Sequence, residues 1–239
     1  MKKAMGILGG MGPLATADLF RKIVTMTKAG CDNDHIRIYI DDNSAIPDRT
    51  AAILSGGKDP VEEMSNSLKK LISCGAQCIL MPCNTAHYFL PRLQEQTDVP
   101  FISMLEATAK ACAEQFPGKT AAILATKGTL ATGLYEKALQ AQNIPYLVPD
   151  EWEQDALMRV IYEGVKADAA PESYREDMET VLRRLADKGA DYFILGCTEL
   201  PLAAQLLQLP HATIDPTAEL AKAAIQFCGY EVKATTDFL

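Results

Sequence analysis

The chain has no basic run, no long apolar stretch and no cysteine framework, and each absence removes a class of function. Its 23 Lys and Arg stand against 31 Asp and Glu, giving a formal net charge of -8. No segment clusters cations as phosphate neutralisation requires, so no nucleic-acid partner is expected. The longest apolar stretches, such as Cys78 to Met81 and Tyr192 to Leu195, have the length of buried strands and fall far short of a bilayer span. The opening Met1-Lys2-Lys3-Ala4-Met5-Gly6-Ile7-Leu8 breaks at once into glycines, and it is read as a first strand rather than a secretion signal. Seven cysteines without compact spacing fit a reducing cytoplasm better than a disulfide scaffold. Cys74 and Cys78 stand close together, but no second cysteine pair or histidine cluster completes a zinc site, so no metal is expected.

What the chain does contain is a second copy of itself. Leu68-Lys69-Lys70-Leu71 runs through Gly75-Ala76 to Cys83, and Leu182-Arg183-Arg184-Leu185 runs through Gly189-Ala190 to Cys197. Ile7-Leu8, Gly12 and Leu14-Ala15-Thr16 recur as Ile123-Leu124, Gly128 and Leu130-Ala131-Thr132. A weaker third block pairs Ile102 and Ala109-Lys110-Ala111 with Ile214 and Ala221-Lys222-Ala223. The period is much longer than a solenoid unit, so each copy should be a small layered domain.

Short apolar runs alternate with amphipathic segments, which predicts an α/β fold. The expected form is two similar parallel-sheet domains related by pseudo-two-fold symmetry, with the active site in the cleft between them. Strands are expected at 4–8, 36–40, 78–81, 101–104, 120–125, 146–148, 192–195 and 213–214. Val61, Met64, Leu68, Leu71 and Ile72 form a helical stripe, opened by Asp59-Pro60 with Glu62 placed for a capping box and closed near Gly75. Tyr174, Met178, Val181, Leu182 and Leu185 repeat the stripe, closed by Gly189. The domains are expected as 1–100 plus 212–239, and 101–211. Read as a crossover, the third block makes each half end by completing the other domain's sheet.

Cys83 and Cys197 thus fall just past a buried parallel strand, on the turn into a helix. Ligands of open α/β sheets bind there, and helix N-termini offer N–H groups and positive partial charge that favour a thiolate. Cys31, Cys74, Cys78, Cys112 and Cys228 are read instead as small buried hydrophobes. Two equivalent thiols suit racemisation at an amino-acid Cα, which removes a proton from one face and delivers one to the other. Asn84, Thr85 and Thr198 follow the cysteines and offer amide and hydroxyl groups to a substrate, a role compatible with helix capping. Glu199 is suited either to a substrate ammonium or to the helix start. Met11 and Thr126, at the first-loop positions of the two copies, are candidates to line the cleft. His87 is expected to pack or cap, and Thr16 and Thr132 to be structural. Arg49 and Lys166 recur at nearly the repeat offset; from spacing alone each reads as a surface charge, with Asp48 a local partner for Arg49.

At these residues the chain resembles the aspartate/glutamate racemase superfamily, and within it the cofactor-independent aspartate racemases. The resemblance rests on Gly9-Gly10-Met11-Gly12-Pro13, Ile46-Pro47-Asp48-Arg49-Thr50, Met81-Pro82-Cys83-Asn84-Thr85-Ala86-His87, Tyr162-Glu163-Gly164-Val165-Lys166 and Leu195-Gly196-Cys197-Thr198-Glu199-Leu200-Pro201. It implies that Cys83 and Cys197 are the catalytic acid/base pair. It also implies that Arg49 and Lys166 hold substrate carboxylates, and that Asn84, Thr85 and Thr198 touch substrate. The implied enzyme is a cytoplasmic homodimer that acts on an acidic amino acid without pyridoxal phosphate or metal. Glutamate racemases usually carry Asp-Ser-Gly in the first loop and His-Tyr-Pro after the second cysteine motif's threonine, where this chain has Gly9-Gly10-Met11 and Glu199-Leu200-Pro201. Racemisation of aspartate is therefore the expected activity; glutamate or broad acidic amino-acid racemisation, or binding without turnover, are the alternatives.

Overall fold

The structure is a computed structural model and describes residues 2–234. Its contacts divide the chain into two units, one built from the residues up to Ala107 and those from Thr217 onward, the other from Thr108–Pro216. The first unit holds β1 (Met5–Gly9), α1 (Pro13–Met26), β2 (Ile38–Asp42), α2 (Arg49–Leu54), α3 (Val61–Ser73), β3 (Ile79–Leu80) and α4 (Leu90–Gln94). The chain changes unit within α5 (Met104–Gln115). The second unit then holds β4 (Ala121–Leu124), α6 (Lys127–Ala131), α7 (Leu134–Ala141), β5 (Tyr146–Leu147), α8 (Glu151–Arg159), α9 (Glu172–Asp187), β6 (Tyr192–Leu195), α10 (Leu200–Leu207) and β7 (Thr213–Ile214). With α11 (Pro216–Phe227) the chain returns to the first unit.

Both sheets are parallel. The first has the order β2-β1-β3 and the second β5-β4-β6-β7. Phe101 adds a fourth position to the first through a parallel bridge to Ile79, so the two units repeat one topology. Central strands of such sheets have no solvent face and read as continuous apolar runs. Accordingly every residue of β1, β4 and β6 is buried, while the edge strands β2 and β5 are partly exposed. Successive side chains alternate between faces. Leu8, Ile79 and Met81 meet Met64, Leu68 and Leu71 of α3; Ile7, Cys78 and Leu80 meet Leu19 and Ile23 of α1 and Leu220 and Ile225 of α11.

The α9 stripe buries Tyr174, Met178, Val181, Leu182 and Leu185 against Leu124, Leu157, Phe193 and Leu195. Burial of one such leucine stabilises the unit by about 2 kcal/mol. The repeated Gly-Ala pairs end α3 and α9 in the same way. Gly75 and Gly189 take φ of +99° and +104°, and their N–H groups bond the Ile72 and Ala186 carbonyls. Ala76 and Ala190 bond back to Leu71 and Leu185, which completes a Schellman closure in each copy.

Four expectations need correction. No capping box opens α3: Pro60 occupies the N-cap in a helical conformation, and the Asp59 carboxylate accepts from Val61 N–H and from Arg92. A true box sits instead at Asp150 and Glu153 on α8. The strand expected over 101–104 shrinks to the Phe101 bridge because Met104 already begins α5. The last strands do not change sheets, since Phe101 pairs with Ile79 and β7 with β6; only the helices that follow them change unit. Cys31 and Cys74 are exposed rather than buried, because each caps a helix end. Among the described residues no helix is long and apolar enough to cross a membrane.

Candidate active site

In the first unit β3 leads through Met81-Pro82 to Cys83, and a 3-10 helix (Thr85–Phe89) follows at once. Cys83 is buried in one apolar cluster with Met11, Ile46 and Ala86. Arg49, the first residue of α2, reaches the same place. The residue is only 8% exposed, and its guanidinium donates to the carbonyls of Ile46 (3.2 Å), Pro47 (2.9 Å) and Met11 (3.2 Å). Nε has no partner, and no carboxylate among the described residues pairs with the group. Asp48 is occupied elsewhere, since it caps α2 by accepting from Ala51 N–H at 2.7 Å. A buried cation held only by carbonyl dipoles retains its attraction for an anion, and the guanidinium fork suits a carboxylate.

The loop after β1 shapes this corner. Gly10 has φ of +85°, and a Cβ there would lie 2.2 Å from the Asn43 carbonyl carbon. Thr16 fastens the loop by accepting from Gly10 N–H (3.0 Å) and donating to Gly12 C=O (3.2 Å), the structural role expected of it. Met11 is buried beneath, with its carbonyl on Arg49. Asn84 and Thr85 are buried beside Cys83.

His87 ties Cys83 to the start of α5. Its Nε2 accepts the Met104 backbone N–H at 3.1 Å, so the proton must sit on Nδ1, which faces the Cys83 carbonyl at 2.9 Å. Burial brings its pKa down from 6.5 to about 4. With both nitrogens on backbone groups the ring is a neutral clamp, in keeping with the packing or capping expected of it.

In the second unit β6 leads through Gly196 to Cys197, just before α10. Gly196 is tightly packed: a Cβ there would sit 3.0 Å from both the Leu124 carbonyl oxygen and the Tyr135 ring. The Cys197 thiol donates to Glu199 Oε2 at 2.9 Å, and Thr198 Oγ donates to the same oxygen at 3.2 Å. Lys166 Nζ stands 3.6 Å from Glu199 Oε1 and 4.8 Å from the centre of the Tyr162 ring. Burial, and after it the charge and hydrogen bond of Glu199, push the Cys197 thiol well above the ordinary range, against an opposing pull from Lys166. Cys197 is therefore protonated at neutral pH.

Lys166 is placed by an irregularity that sequence reading missed, a π-helical turn over Val160–Val165 that continues α8 and closes with Lys166 N–H on the Ile161 carbonyl. Such turns concentrate at functional sites. Gly164 lies under Tyr174, whose ring atoms would be 2.6 Å from a Cβ. Thr126 is buried and caps α6 by accepting from Thr129 N–H at 3.2 Å. In the second unit Cys197 and Lys166 thus meet around Glu199; in the first, Arg49 is bonded to the carbonyls of Met11 and Ile46, which share an apolar cluster with Cys83. Glu199, between alternatives in the sequence, stands on the thiol and leaves the start of α10 uncapped by its side chain.

A family model described as Asp/Glu/Hydantoin racemase matches residues 8–224. The chain is 33% identical to an aspartate racemase of Picrophilus torridus of known structure, with a TM-score of 0.85, and 97% of this chain and 96% of that one are covered. It is 27% identical to the broad specificity amino-acid racemase RacX of Bacillus subtilis over 233 residues, covering 92% of this chain and 96% of that protein. It is also 28% identical to a glutamate racemase of Corynebacterium kroppenstedtii over 149 residues, covering 58% and 47% of the two.

Proposed function

The chain belongs to the Asp/Glu/hydantoin racemase family, and from that premise we propose that it interconverts L- and D-aspartate by proton transfer between two cysteines and Cα. One thiolate removes the Cα proton while the other thiol delivers its S–H proton to the opposite face, so the sulfurs exchange protonation states in each turnover. Cys197, whose thiol burial and the Glu199 carboxylate hold in its protonated form, is suited to be the proton donor of the free enzyme. The deprotonated intermediate carries extra negative charge on its α-carboxylate, which fixed cations and N–H groups stabilise.

The observation that carries this reading is Arg49, a buried guanidinium that three backbone carbonyls hold and no carboxylate neutralises among the described residues. It calls for an anionic ligand beside Cys83, and an acidic amino acid has a carboxylate to spare. Lys166 supplies the second cation. The likeness to the Picrophilus aspartate racemase over nearly the whole chain supports the choice of aspartate.

The test is incubation with L-aspartate in D2O without added cofactor. D-aspartate deuterated at Cα should accumulate, and Cys83→Ser and Cys197→Ser should each abolish its formation. Full activity in either variant refutes the two-thiol mechanism, while binding of aspartate without exchange marks a protein that binds and does not turn over. A second reading, broad specificity, is favoured by the match to a broad specificity racemase over 92% of the chain. The same exchange run on a panel of amino acids decides it: comparable kcat/KM for neutral and acidic substrates replaces aspartate with a broad substrate class. The reading includes a homodimer, which sedimentation at assay concentration checks.

A further inference from the structure

Beyond the two thiols, the second unit holds a buried carboxylate aimed at one of them. Glu199 is 8% exposed, and its carboxylate is held at the thiol: Oε2 accepts from Cys197 Sγ and Thr198 Oγ, and Oε1 faces Lys166. The groups facing the sulfur are Glu199 from the start of α10, Lys166 from the end of the π-helical turn, and the Tyr135 hydroxyl from α7, which burial keeps protonated. Of these only Glu199 is both within hydrogen-bond reach of the thiol and negatively charged.

We propose that Glu199 is a positioning residue for Cys197: its carboxylate takes the S–H bond, fixes where that hydrogen points and holds the sulfur in its protonated form, while Lys166 on the far oxygen limits how strongly it does so. The consequence is a free enzyme with two unequal forms. When Cys197 gives its proton to Cα, the S–H bond breaks and the new thiolate is left beside the Glu199 carboxylate. Like charges at that separation repel, so the form with Cys197 ionised lies above the form with Cys197 protonated. At an equilibrium constant of one between enantiomers the ratio of their kcat/KM values is fixed at one. The inequality therefore shows only in kcat and KM separately, and in the pH dependence.

This inference rests on Cys197 as an acid/base group, but its test needs no substrate. Cys197 is alkylated with iodoacetamide across pH 6–11 and its peptide quantified by mass spectrometry, in the unmodified protein, in Glu199→Gln and in Lys166→Gln. Removing the carboxylate charge should move the Cys197 profile at least one pH unit down, a rate increase of about tenfold at neutral pH. Removing the lysine charge should move it up. Opposite signs from two neighbouring substitutions are not produced by loosened packing, which would change both in one direction. The alkaline limb of kcat/KM against pH should move with the Glu199→Gln profile. A Cys197 profile that stays in place in Glu199→Gln, or shifts of the same sign in both variants, overturns the inference. If instead the Glu199→Gln shift occurs and Cys197→Ser remains fully active, the positioning stands and the catalytic reading falls.

Discussion

Replacing His87 by glutamine tests how the first thiol is held. The ring is 4% exposed, its Nε2 bears the Met104 N–H bond and its pKa is depressed to about 4. Between pH 6.5 and pH 4 the unfolded chain takes up a proton that the native ring refuses. The unfolded state then binds more protons, so stability falls as pH falls. The contribution is fully present above pH 6.5 and lost as pH drops through 4. A span of about 2.5 pH units at about 1.4 kcal/mol each gives about 3.5 kcal/mol. Glutamine is polar and of similar length but does not titrate. At pH 7.5 the variant should be less stable by about 1–3 kcal/mol through weakened bonds to Cys83 and Met104. That gap should close or invert toward pH 4, because only the unmodified protein carries the protonation penalty. Urea titrations followed by circular dichroism at pH 7.5, 6.5, 5.5 and 4.5 measure it, with His35 and His211 common to both proteins. A gap that stays constant over the series would refute the buried neutral imidazole.

Further outcomes follow from the same geometry. Arg49→Lys keeps the charge but loses the fork and donors to three carbonyls, so KM for aspartate should rise at least about tenfold; an unchanged KM would show that the fork does not bind substrate. Gly189→Ala, at φ of +104° with open space around the site, should cost about 1–2 kcal/mol in denaturant titrations. Gly10→Ala adds to its φ of +85° a clash with the Asn43 backbone and should be worse by several-fold, or fail to yield folded protein. Equal costs at the two glycines would mean that the first loop yields.

The helical stripe of α9 was legible because five buried positions recur at helical spacing, and the Gly-Ala closures because a left-handed C-terminus favours glycine. Edges were less legible. Asp59, Pro60 and Glu62 spell a capping box, yet the proline's helical conformation and Arg92, far along the chain, give the aspartate other work. The π-helical turn that places Lys166 leaves no period of its own in six residues. Around the thiols, residue types were readable and partners were not. Cys83 C=O is four residues from His87 and fits a local cap, whereas Met104 lies far beyond any local pattern. Glu199 beside a helix start looks like a dipole partner until its rotamer turns the carboxylate onto Cys197.

The return of α11 to the first unit sets an order for synthesis. Thr108–Pro216 is one continuous stretch and is complete when its last residue leaves the ribosome. The sheet made first has to wait, since Met5, Ile7, Leu19 and Ile23 are covered on one side by Leu220, Ala221, Ala224 and Ile225 of α11. At about 5–20 residues per second the delay between the two is on the order of ten seconds. During it the nascent amino-terminal half leaves that apolar face without its α11 cover, whereas the later half lacks no segment of its own.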